Sequence, residues 1–322
     1  MTAHWMDRLY GRLFFKRQSY FASGWGDDAR LNPPPELFLA HEPEAPTLNW
    51  GPRRPYKRGV TLRRGWFESP AAEQLPREAR SARVRWLEPE RQETDAPAPV
   101  CVLLASWADA GHALRERLVL PLVRQGIGMM LLENPYYGHR CPTGQEGAQL
   151  RRVSDLITMW LATWREARAL LRWLRDEGIP SGVAGYSMGA QVGAMVGVSI
   201  PWRIAIAPLV SSTSPAWPFT EGILGQLPAW DVLGERAALS ERLRPFSLLS
   251  LPRPHDPSCA VLVGATRDGI LVPDEMQQLA EHWEIEMRWL NAGHISAFLL
   301  HVGALRDAIA DAFQSLTAPE AS

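Results

Sequence analysis

From residue 100 to the end of the chain, short continuously apolar runs alternate with longer segments of helical periodicity. The runs Val100–Ala105 and Gly128–Leu132 are apolar throughout, as expected for strands that are buried on both faces of a parallel sheet. Strands that alternate with helices are typical of a wound α/β sheet. Further strands are predicted at Gly182–Tyr186, Arg203–Leu209, Ala260–Val263 and Glu284–Leu290, and helices at residues 112–125, 152–176, 188–198 and about 296–315.

The segment before this alternation has a different pattern. Residues 4–18 carry apolar side chains at helical spacing with arginines between them, which predicts an amphipathic helix. Prolines are then frequent from Pro33 to Pro55, and this density excludes long helices and central strands, so we expect an extended covering arm. Val60–Phe67 and Ala82–Leu87 alternate apolar and polar residues and are predicted to form two half-exposed antiparallel strands.

A second irregular segment, residues 211–257, interrupts the alternation of strands and helices. It contains Trp217, Trp230, several leucines and many prolines, but no pattern that is typical of a strand. We therefore predict a helical insertion that caps the C-terminal edge of the sheet. The predicted organisation is an N-terminal amphipathic helix and proline-rich arm at residues 1–58, followed at residues 59–322 by an α/β domain that includes this cap.

The composition excludes several classes of function. With a formal net charge of −1, the chain has no overall basic excess that would draw it to nucleic acid. Its three cysteines, Cys101, Cys141 and Cys259, form no C-x-x-C pair, so neither a disulfide framework nor a zinc site is indicated. We expect no metal and no cofactor. The chain has no apolar stretch of the roughly 18 residues that a membrane span requires, and we expect a cytoplasmic protein.

Residues Gly185–Gly189 read Gly-Tyr-Ser-Met-Gly and match the pattern G-x-S-x-G, in which the serine is a nucleophile on a sharp strand-to-helix turn. The motif follows a predicted strand and begins a segment rich in small residues, which let helix and strand pack closely around the turn. Such a turn raises the hydroxyl of Ser187 above the sheet and leaves the N–H of Met188 free to donate to an oxyanion. The alternative is an ordinary strand-to-helix turn without a catalytic role.

A serine hydroxyl needs a neighbouring base, and in the α/β-hydrolase fold the orienting acid and the base follow the serine in that order. Asp268 lies on the loop after a predicted buried strand, where the acid belongs; the alternative is a plain turn residue. Asp274 is the other candidate for the acid, but its position at the start of a predicted helix is explained by helix capping. His294 follows the last predicted strand, whereas His282 and His301 fall within helical patterns. Because a free imidazole titrates near pH 6.5, we expect His294 to act as the general base.

A second donor to the oxyanion is expected from the loop Ser106–Gly111, which follows a predicted central strand. Many hydrolases carry His-Gly in this loop, and this chain does not. By position, the backbone N–H of Trp107 is the donor that would act with Met188. Asp109 has two equal interpretations: it lines the pocket, or it caps the following helix.

Several blocks of the sequence resemble the family of the mammalian alpha/beta hydrolase domain-containing protein eighteen. The most specific is Leu131–Gly138, which reads LLENPYYG. Further resemblance lies in Val153–Leu156, Ser187–Gly189 and Gly293–Ala297, so that it extends over nearly the whole chain. It implies an α/β-hydrolase fold with nucleophile, acid and base at Ser187, Asp268 and His294, in agreement with the positional argument.

The resemblance is weaker in two segments. The loop Ser106–Gly111 departs from the family's glycine-rich version, and residues 211–257 match poorly, so the choice of substrate is not transferred from the family. Within the most specific block, Asn134–Gly138 is expected to form a fixed turn below the pocket. The alternative is that Tyr136 or Tyr137 lines the pocket and touches the substrate.

The expected function is hydrolysis of a carboxylic ester through an acyl-enzyme on Ser187, with a thioester as the alternative bond. An acyl lipid is an attractive substrate, because the cap is apolar and the N-terminal helix is amphipathic. The rival hypothesis is a non-catalytic α/β-hydrolase fold that serves as a binding or scaffold protein. It predicts a broken triad, whereas all three residues are present.

The apolar face of the N-terminal helix has two interpretations. Trp5, Leu9, Leu13 and Phe14 share it, while arginines occupy another face. The face either packs on the protein's own surface or rests at a lipid interface, which would make the protein peripheral to the inner membrane. The sequence does not indicate an oligomeric state.

Overall fold

The structure is a computed structural model that describes residues 3–14, 19–33, 37, 41–90 and 97–318. Within these residues ten strands form one sheet. They are β1 (Asn49–Trp50), β2 (Arg54–Lys57), β3 (Val60–Glu68), β4 (Ser81–Pro89), β5 (Val100–Leu104), β6 (Gly128–Leu132), β7 (Ser181–Tyr186), β8 (Ala205–Leu209), β9 (Leu262–Ala265) and β10 (Met287–Leu290). Their order is β1-β3-β4-β6-β5-β7-β8-β9-β10, and β2 pairs with β3.

The sheet has an antiparallel part and a parallel part. In the antiparallel part, β1 pairs with β3, β3 with β4, and β4 with β6. From β6 onward, through β5, β7, β8 and β9 to β10, every neighbouring pair is parallel. Every residue of β5, β6 and β7 is buried, because helices cover both faces of the parallel part. The sheet is thus mixed and mostly parallel, with the fully buried strands β5, β6 and β7 at its centre.

Eleven α-helices lie within the described residues. They are α1 (Trp5–Phe14), α2 (Asp28–Leu31), α3 (Ala113–Arg124), α4 (Val153–Asp176), α5 (Met188–Ser199), α6 (Ala216–Thr220), α7 (Trp230–Leu233), α8 (Arg236–Leu243), α9 (Pro273–Trp283), α10 (His294–Leu300) and α11 (Val302–Thr317). None of them combines the length and the apolar character that crossing a membrane requires.

The segment between β8 and β9, which the structure describes in full, contains α6, α7 and α8 and no strand. It is held to the N-terminal part of the chain by backbone hydrogen bonds: Tyr20 N donates to Leu227 O at 2.8 Å, and Ala229 N donates to Tyr20 O at 2.9 Å. Phe219 and Leu224 of this segment are buried. The two short strands β1 and β2 extend the sheet from the predicted arm, and the domain boundary at residue 58 stays a prediction.

The helix α1 packs through the face opposite to its apolar one. Asp7 is fully buried, whereas Trp5, Leu9 and Leu13 are 57%, 44% and 66% exposed. The expectation that this apolar face packs on the protein's own surface is therefore wrong for these three side chains. Outside the described residues lie residues 15–18 of the predicted helix, the side chain of Phe14, and residues 34–36 and 38–40 of the predicted arm.

A buried ion pair joins the block Leu131–Gly138 to the longest helix. Arg140 donates from Nη2 to Glu166 Oε1 at 2.6 Å and from Nη1 to Glu166 Oε2 at 2.8 Å, and both side chains are fully buried. Ser69 Oγ donates to the same Oε1 at 2.6 Å, and Arg140 Nη1 donates to the carbonyl of Glu133 at 2.6 Å. The pair thus fixes the end of the 131–138 block against α4.

The last part of the chain departs from the prediction in one respect that affects the site. His294 was expected on a loop, but it is the first residue of α10. The predicted terminal helix is divided at His301 into α10 and α11. The backbone N–H of His294 therefore lies at a helix start, where no acceptor is available within the helix.

Candidate active site

Ser187 lies on the turn between β7 and α5. Its φ angle is +57°, a left-handed conformation that is unusual for a residue with a side chain, and its N–H donates to Leu209 O on the neighbouring strand at 3.1 Å. A Cβ atom on Gly189 would lie 2.7 Å from Leu104 O, so only glycine allows α5 to begin this close to β5. The last glycine of the motif is explained by this close approach.

His294 and Asp268 complete a hydrogen-bonded chain with this serine. His294 Nε2 lies 2.9 Å from Ser187 Oγ, and His294 Nδ1 lies 2.7 Å from Asp268 Oδ2. Asp268 Oδ1 accepts from Ile270 N at 2.7 Å and from Leu271 N at 2.8 Å. The imidazole is thus in reach of the hydroxyl on one side and of a carboxylate with fixed orientation on the other.

The rival residues do not join this chain. Asp274 lies in the first turn of α9, as expected for a residue that stabilises a helix start. His282 Nε2 lies 2.9 Å from Leu251 O, and His301 ends α10. The structure brings together Ser187, Asp268 and His294, the set chosen from the sequence.

The environment of His294 favours its protonated form. Burial of the ring lowers its pKa, but the negative charge of Asp268 and the hydrogen bond to it raise the pKa, and the charge of Asp7 raises it further. The net pKa of His294 lies above its ordinary value. A base of this kind accepts a proton readily and holds the resulting positive charge beside a carboxylate.

Two backbone N–H groups near Ser187 have no acceptor within the part of the chain that the structure describes. One belongs to Met188, the first residue of α5, and the other to Trp107. The Trp107 ring is packed between Tyr20 and Phe219, with centroid distances of 5.0 Å to each. Ala108, the next residue, has a φ of +60°. Both N–H groups are therefore free to donate to a group bound beside Ser187.

Two cavities meet at Ser187. The larger has a volume of about 410 Å³ and is lined mainly by apolar side chains of α10 and the surrounding loops. The smaller, of about 40 Å³, lies between Ser187 and side chains of the segment between β8 and β9. Both are lined by Ser187, Trp107, Leu224 and Ile270. The larger is within the usual size range of small-molecule pockets, roughly 300–1,000 Å³, and the smaller has room for a small group only.

Of the three residues for which pocket lining is one of two interpretations, only Asp109 lines the pocket. Asp109 faces the larger cavity, and its Oδ2 accepts from Arg115 Nε at 2.7 Å. Tyr137 is fully buried, and its hydroxyl accepts from Ala108 N at 3.4 Å, so it supports the loop that carries Trp107 from below. Tyr136 lines a separate cavity beside Arg152 and Asp155. The alternative in which Tyr136 or Tyr137 lines the pocket at Ser187 is therefore wrong.

Asp7 and Tyr186 also contact His294, and the sequence predicts neither contact. Asp7 Oδ2 accepts from His294 N at 2.8 Å, and the Tyr186 hydroxyl donates to the carbonyl of His294. Asp7 is the only acidic residue of α1 and lies opposite the apolar face, which is the one sequence signal for its separate role. Among the described residues, no group of three or more histidine, cysteine or acidic side chains is arranged to hold a metal ion.

Several solved structures share this fold. A cold-adapted esterase from an Arctic intertidal metagenomic library, solved with bound PEG, has a TM-score of 0.50 and 17% identity over 81% of this chain and 99% of its own. A thermostable esterase from Pseudomonas putida has a TM-score of 0.55 and 14% identity, over 83% of this chain and 86% of its own. A prolyl endopeptidase reaches 0.59 at 13% identity, over 82% of this chain and 40% of its own. The predicted α/β-hydrolase fold is confirmed.

A family model gives a more specific match. The model described as Alpha/beta hydrolase domain containing 18 matches residues 19–245 and 236–315. The two matches together cover most of the chain and include Ser187, Asp268 and His294. The resemblance stated from individual blocks of sequence is confirmed.

Proposed function

The chain belongs to the alpha/beta hydrolase domain containing 18 family, and we propose that it hydrolyses carboxylic esters with Ser187 as the nucleophile. The observation that carries the proposal is the chain of hydrogen bonds from Ser187 Oγ to His294 at 2.9 Å and from His294 to Asp268 at 2.7 Å. These hydrogen-bonded side chains lie beside an apolar cavity of about 410 Å³. A serine esterase needs an activated hydroxyl and room for its acyl group, and both are present at Ser187.

The proposed reaction has two halves that use the same groups. His294 Nε2 removes the proton from Ser187 Oγ while this oxygen attacks the carbonyl carbon of the ester, and the N–H groups of Met188 and Trp107 stabilise the oxyanion. His294 then gives the proton to the leaving alcohol as the acyl–oxygen bond breaks, which leaves an acyl-enzyme. Water repeats the cycle, releases the carboxylic acid and restores the serine. Asp268 orients the imidazole and stabilises its positive charge.

The larger cavity supports an acyl chain as the apolar part of the substrate. Its lining includes Ile295, Phe298 and Leu299 of α10, and it reaches the surface beside Leu114 and Leu299, which are 52% and 40% exposed. The smaller cavity, of about 40 Å³, holds little more than one or two water-sized groups. We therefore assign the acyl chain to the larger cavity, and propose an acyl lipid as the substrate class, with a thioester as the alternative bond.

The exposed face of α1 supports peripheral contact with a lipid surface. Trp5, Leu9 and Leu13 are exposed, and Arg8 and Arg12 of the same helix are exposed as well. An apolar face next to basic residues suits an anionic lipid surface. Since α1 packs against α10, such contact would place the larger cavity close to the lipid.

A series of p-nitrophenyl esters with acyl chains from acetyl to lauroyl tests the proposal. Each methylene buried in the larger cavity contributes about 0.8 kcal/mol, so kcat/KM should rise about fourfold per added methylene until the cavity is filled. Ser187→Ala, which keeps the fold because the turn accepts a small side chain, should have no activity on any ester. Hydrolysis by the Ser187→Ala protein at the wild-type rate would contradict the assignment of the nucleophile, and no hydrolysis by the folded wild-type protein would favour the binding or scaffold hypothesis.

A further inference from the structure

The helix α1 is bonded to the two loops that carry the acid and the base. The Asp7 side chain lies on the inner face of this helix and is fully buried. Its Oδ2 accepts from Gly269 N at 2.9 Å and from His294 N at 2.8 Å, and its Oδ1 accepts from Ile295 N at 2.8 Å. Both oxygens of one carboxylate are therefore occupied by donors from two separate segments.

These donors have no acceptor in their own elements. His294 and Ile295 are the first two residues of α10, and N–H groups at a helix start find no partner within the helix. Gly269 directly follows Asp268, and a further bond from His4 N to Arg267 O at 2.9 Å joins the other side of Asp268 to the segment before α1. The N-terminal segment thus contacts both neighbours of the acid and the backbone of the base.

We propose that Asp7 is a positioning residue for the ester hydrolysis described above. Its carboxylate holds the Asp268 loop and the first turn of α10 at the separation at which His294 reaches both Asp268 and Ser187. Without it, three N–H groups would lose their acceptor, and the two loops would be joined only by their other contacts. The inference rests on the proposed function of Ser187 and adds a role for a segment far from it in sequence.

Asp7 also acts on the imidazole through its charge. The groups that face His294 are Asp268 from the loop after β9, Asp7 from α1, Tyr186 from β7, and Asp109 and Tyr10 at the larger cavity. Burial lowers the pKa of His294, while Asp268 first and then Asp7 raise it. Removal of the Asp7 charge favours the neutral imidazole, so the pKa falls and the neutral, reactive form persists to lower pH.

The rate of phosphonylation by a fluorophosphonate, measured against pH in the full-length chain, tests the proposal. In Asp7→Asn an amide NH₂ replaces one acceptor oxygen and faces backbone donors. We expect the limiting rate constant at high pH to fall by about tenfold or more and the midpoint of the acid limb to move to lower pH. Asp307→Asn, the same change at an exposed position of α11, should keep both values.

Two outcomes would overturn the proposal. In a folded Asp7→Asn protein, either the wild-type limiting rate or the wild-type midpoint would do so. If Asp7→Asn does not fold, Gly293→Ala decides: its Cβ would lie 2.3 Å from His4 Cβ and 2.6 Å from Asp7 Oδ2 and would displace α1 from the loop. Slower phosphonylation of this variant supports the proposal, and the wild-type rate overturns it. An unlabelled wild-type protein would instead contradict the proposed function itself, so the two failures are distinguishable.

Discussion

Among single residues, Asp268 is notable because its two carboxylate oxygens have different partners. Oδ1 accepts from the N–H groups of Ile270 and Leu271, which fixes the carboxylate, and Oδ2 faces His294 Nδ1. The Nδ1 position must carry a proton to donate to Oδ2, which leaves Nε2 free to accept the proton of Ser187. In the proposed mechanism, the orientation of this carboxylate therefore determines the tautomer of His294.

Replacing Asp268 by asparagine should preserve the shape and favour the wrong tautomer. We expect kcat for ester hydrolysis to fall by about 10⁴-fold, as in other triads. Asp274→Asn, at an exposed position in the first turn of α9, is the matched control and should retain nearly all activity. Loss of less than about tenfold in the Asp268→Asn protein would mean that another group orients His294.

The pH profile depends on the raised pKa of His294. The base is active when neutral, so activity should disappear as the pH falls through its pKa. Since burial, which lowers this pKa, is outweighed by Asp268 and Asp7, the midpoint of kcat/KM should lie above about 6.5, the value of a free imidazole. Full activity at about pH 5 in steady-state assays would show that His294 is not the base.

Ser187, Asp268 and His294, which the structure brings together, could be selected from the sequence because each has a local signal and their order along the chain is fixed; their catalytic role stays a prediction. Asp7 could not be predicted, because its partners Gly269 and His294 are far away in sequence and it accepts only from backbone N–H groups. Backbone donors leave no trace in the residue types around them. The sequence leaves the position of Tyr137 relative to the pocket open for a similar reason, since a pattern of residues does not show which side of a turn faces the pocket.

At the scale of elements, the strands with continuously apolar residues were predicted well, because burial on both faces leaves a clear pattern. β5 and β6 match the runs that begin at Val100 and Gly128. The division between α10 and α11 at His301 was missed, because neither proline nor glycine stands there. This division affects the site, because a helix that begins at His294 has free N–H groups at its start, and these donate hydrogen bonds to Asp7.

The buried pair Arg140–Glu166 should dominate the stability of the turn after β6. Arg140→Met would leave the fully buried Glu166 carboxylate without its cation, and we expect a loss of about 3–5 kcal/mol in the free energy of unfolding. Arg288→Met, which removes the half-exposed partner of Asp311, should cost less than about 1 kcal/mol. Urea denaturation of both variants provides the comparison, and equal losses would contradict the importance given to the buried pair.

At the scale of the whole molecule, α1 has two faces with different roles in our account. The inner face bonds to the loops of the active site, and the outer face presents Trp5, Leu9 and Leu13. Deletion of the helix would therefore disturb both, and it cannot isolate the lipid contact. Substitutions confined to the outer face are the informative ones.

Leu9→Gln combined with Leu13→Gln should weaken binding to anionic vesicles. Glutamine preserves the helix, and the loss of two apolar side chains that would enter the interface should reduce the partition coefficient by about tenfold or more. Leu249→Gln, at a position 42% exposed in the cap segment, is the matched control. Cosedimentation with phosphatidylglycerol vesicles measures the effect, and the lipid contact is refuted if the double variant binds as well as the control.

The assignment of Ser187 as an activated nucleophile is tested by intact-protein mass spectrometry after incubation with a fluorophosphonate, followed by peptide mapping. An activated serine displaces fluoride from this reagent, whereas an ordinary hydroxyl does not react. Our account predicts one phosphonyl group per wild-type chain, located on Ser187, and none on the folded Ser187→Ala protein. A folded wild-type protein that stays unlabelled, or that is labelled on another residue, would contradict it.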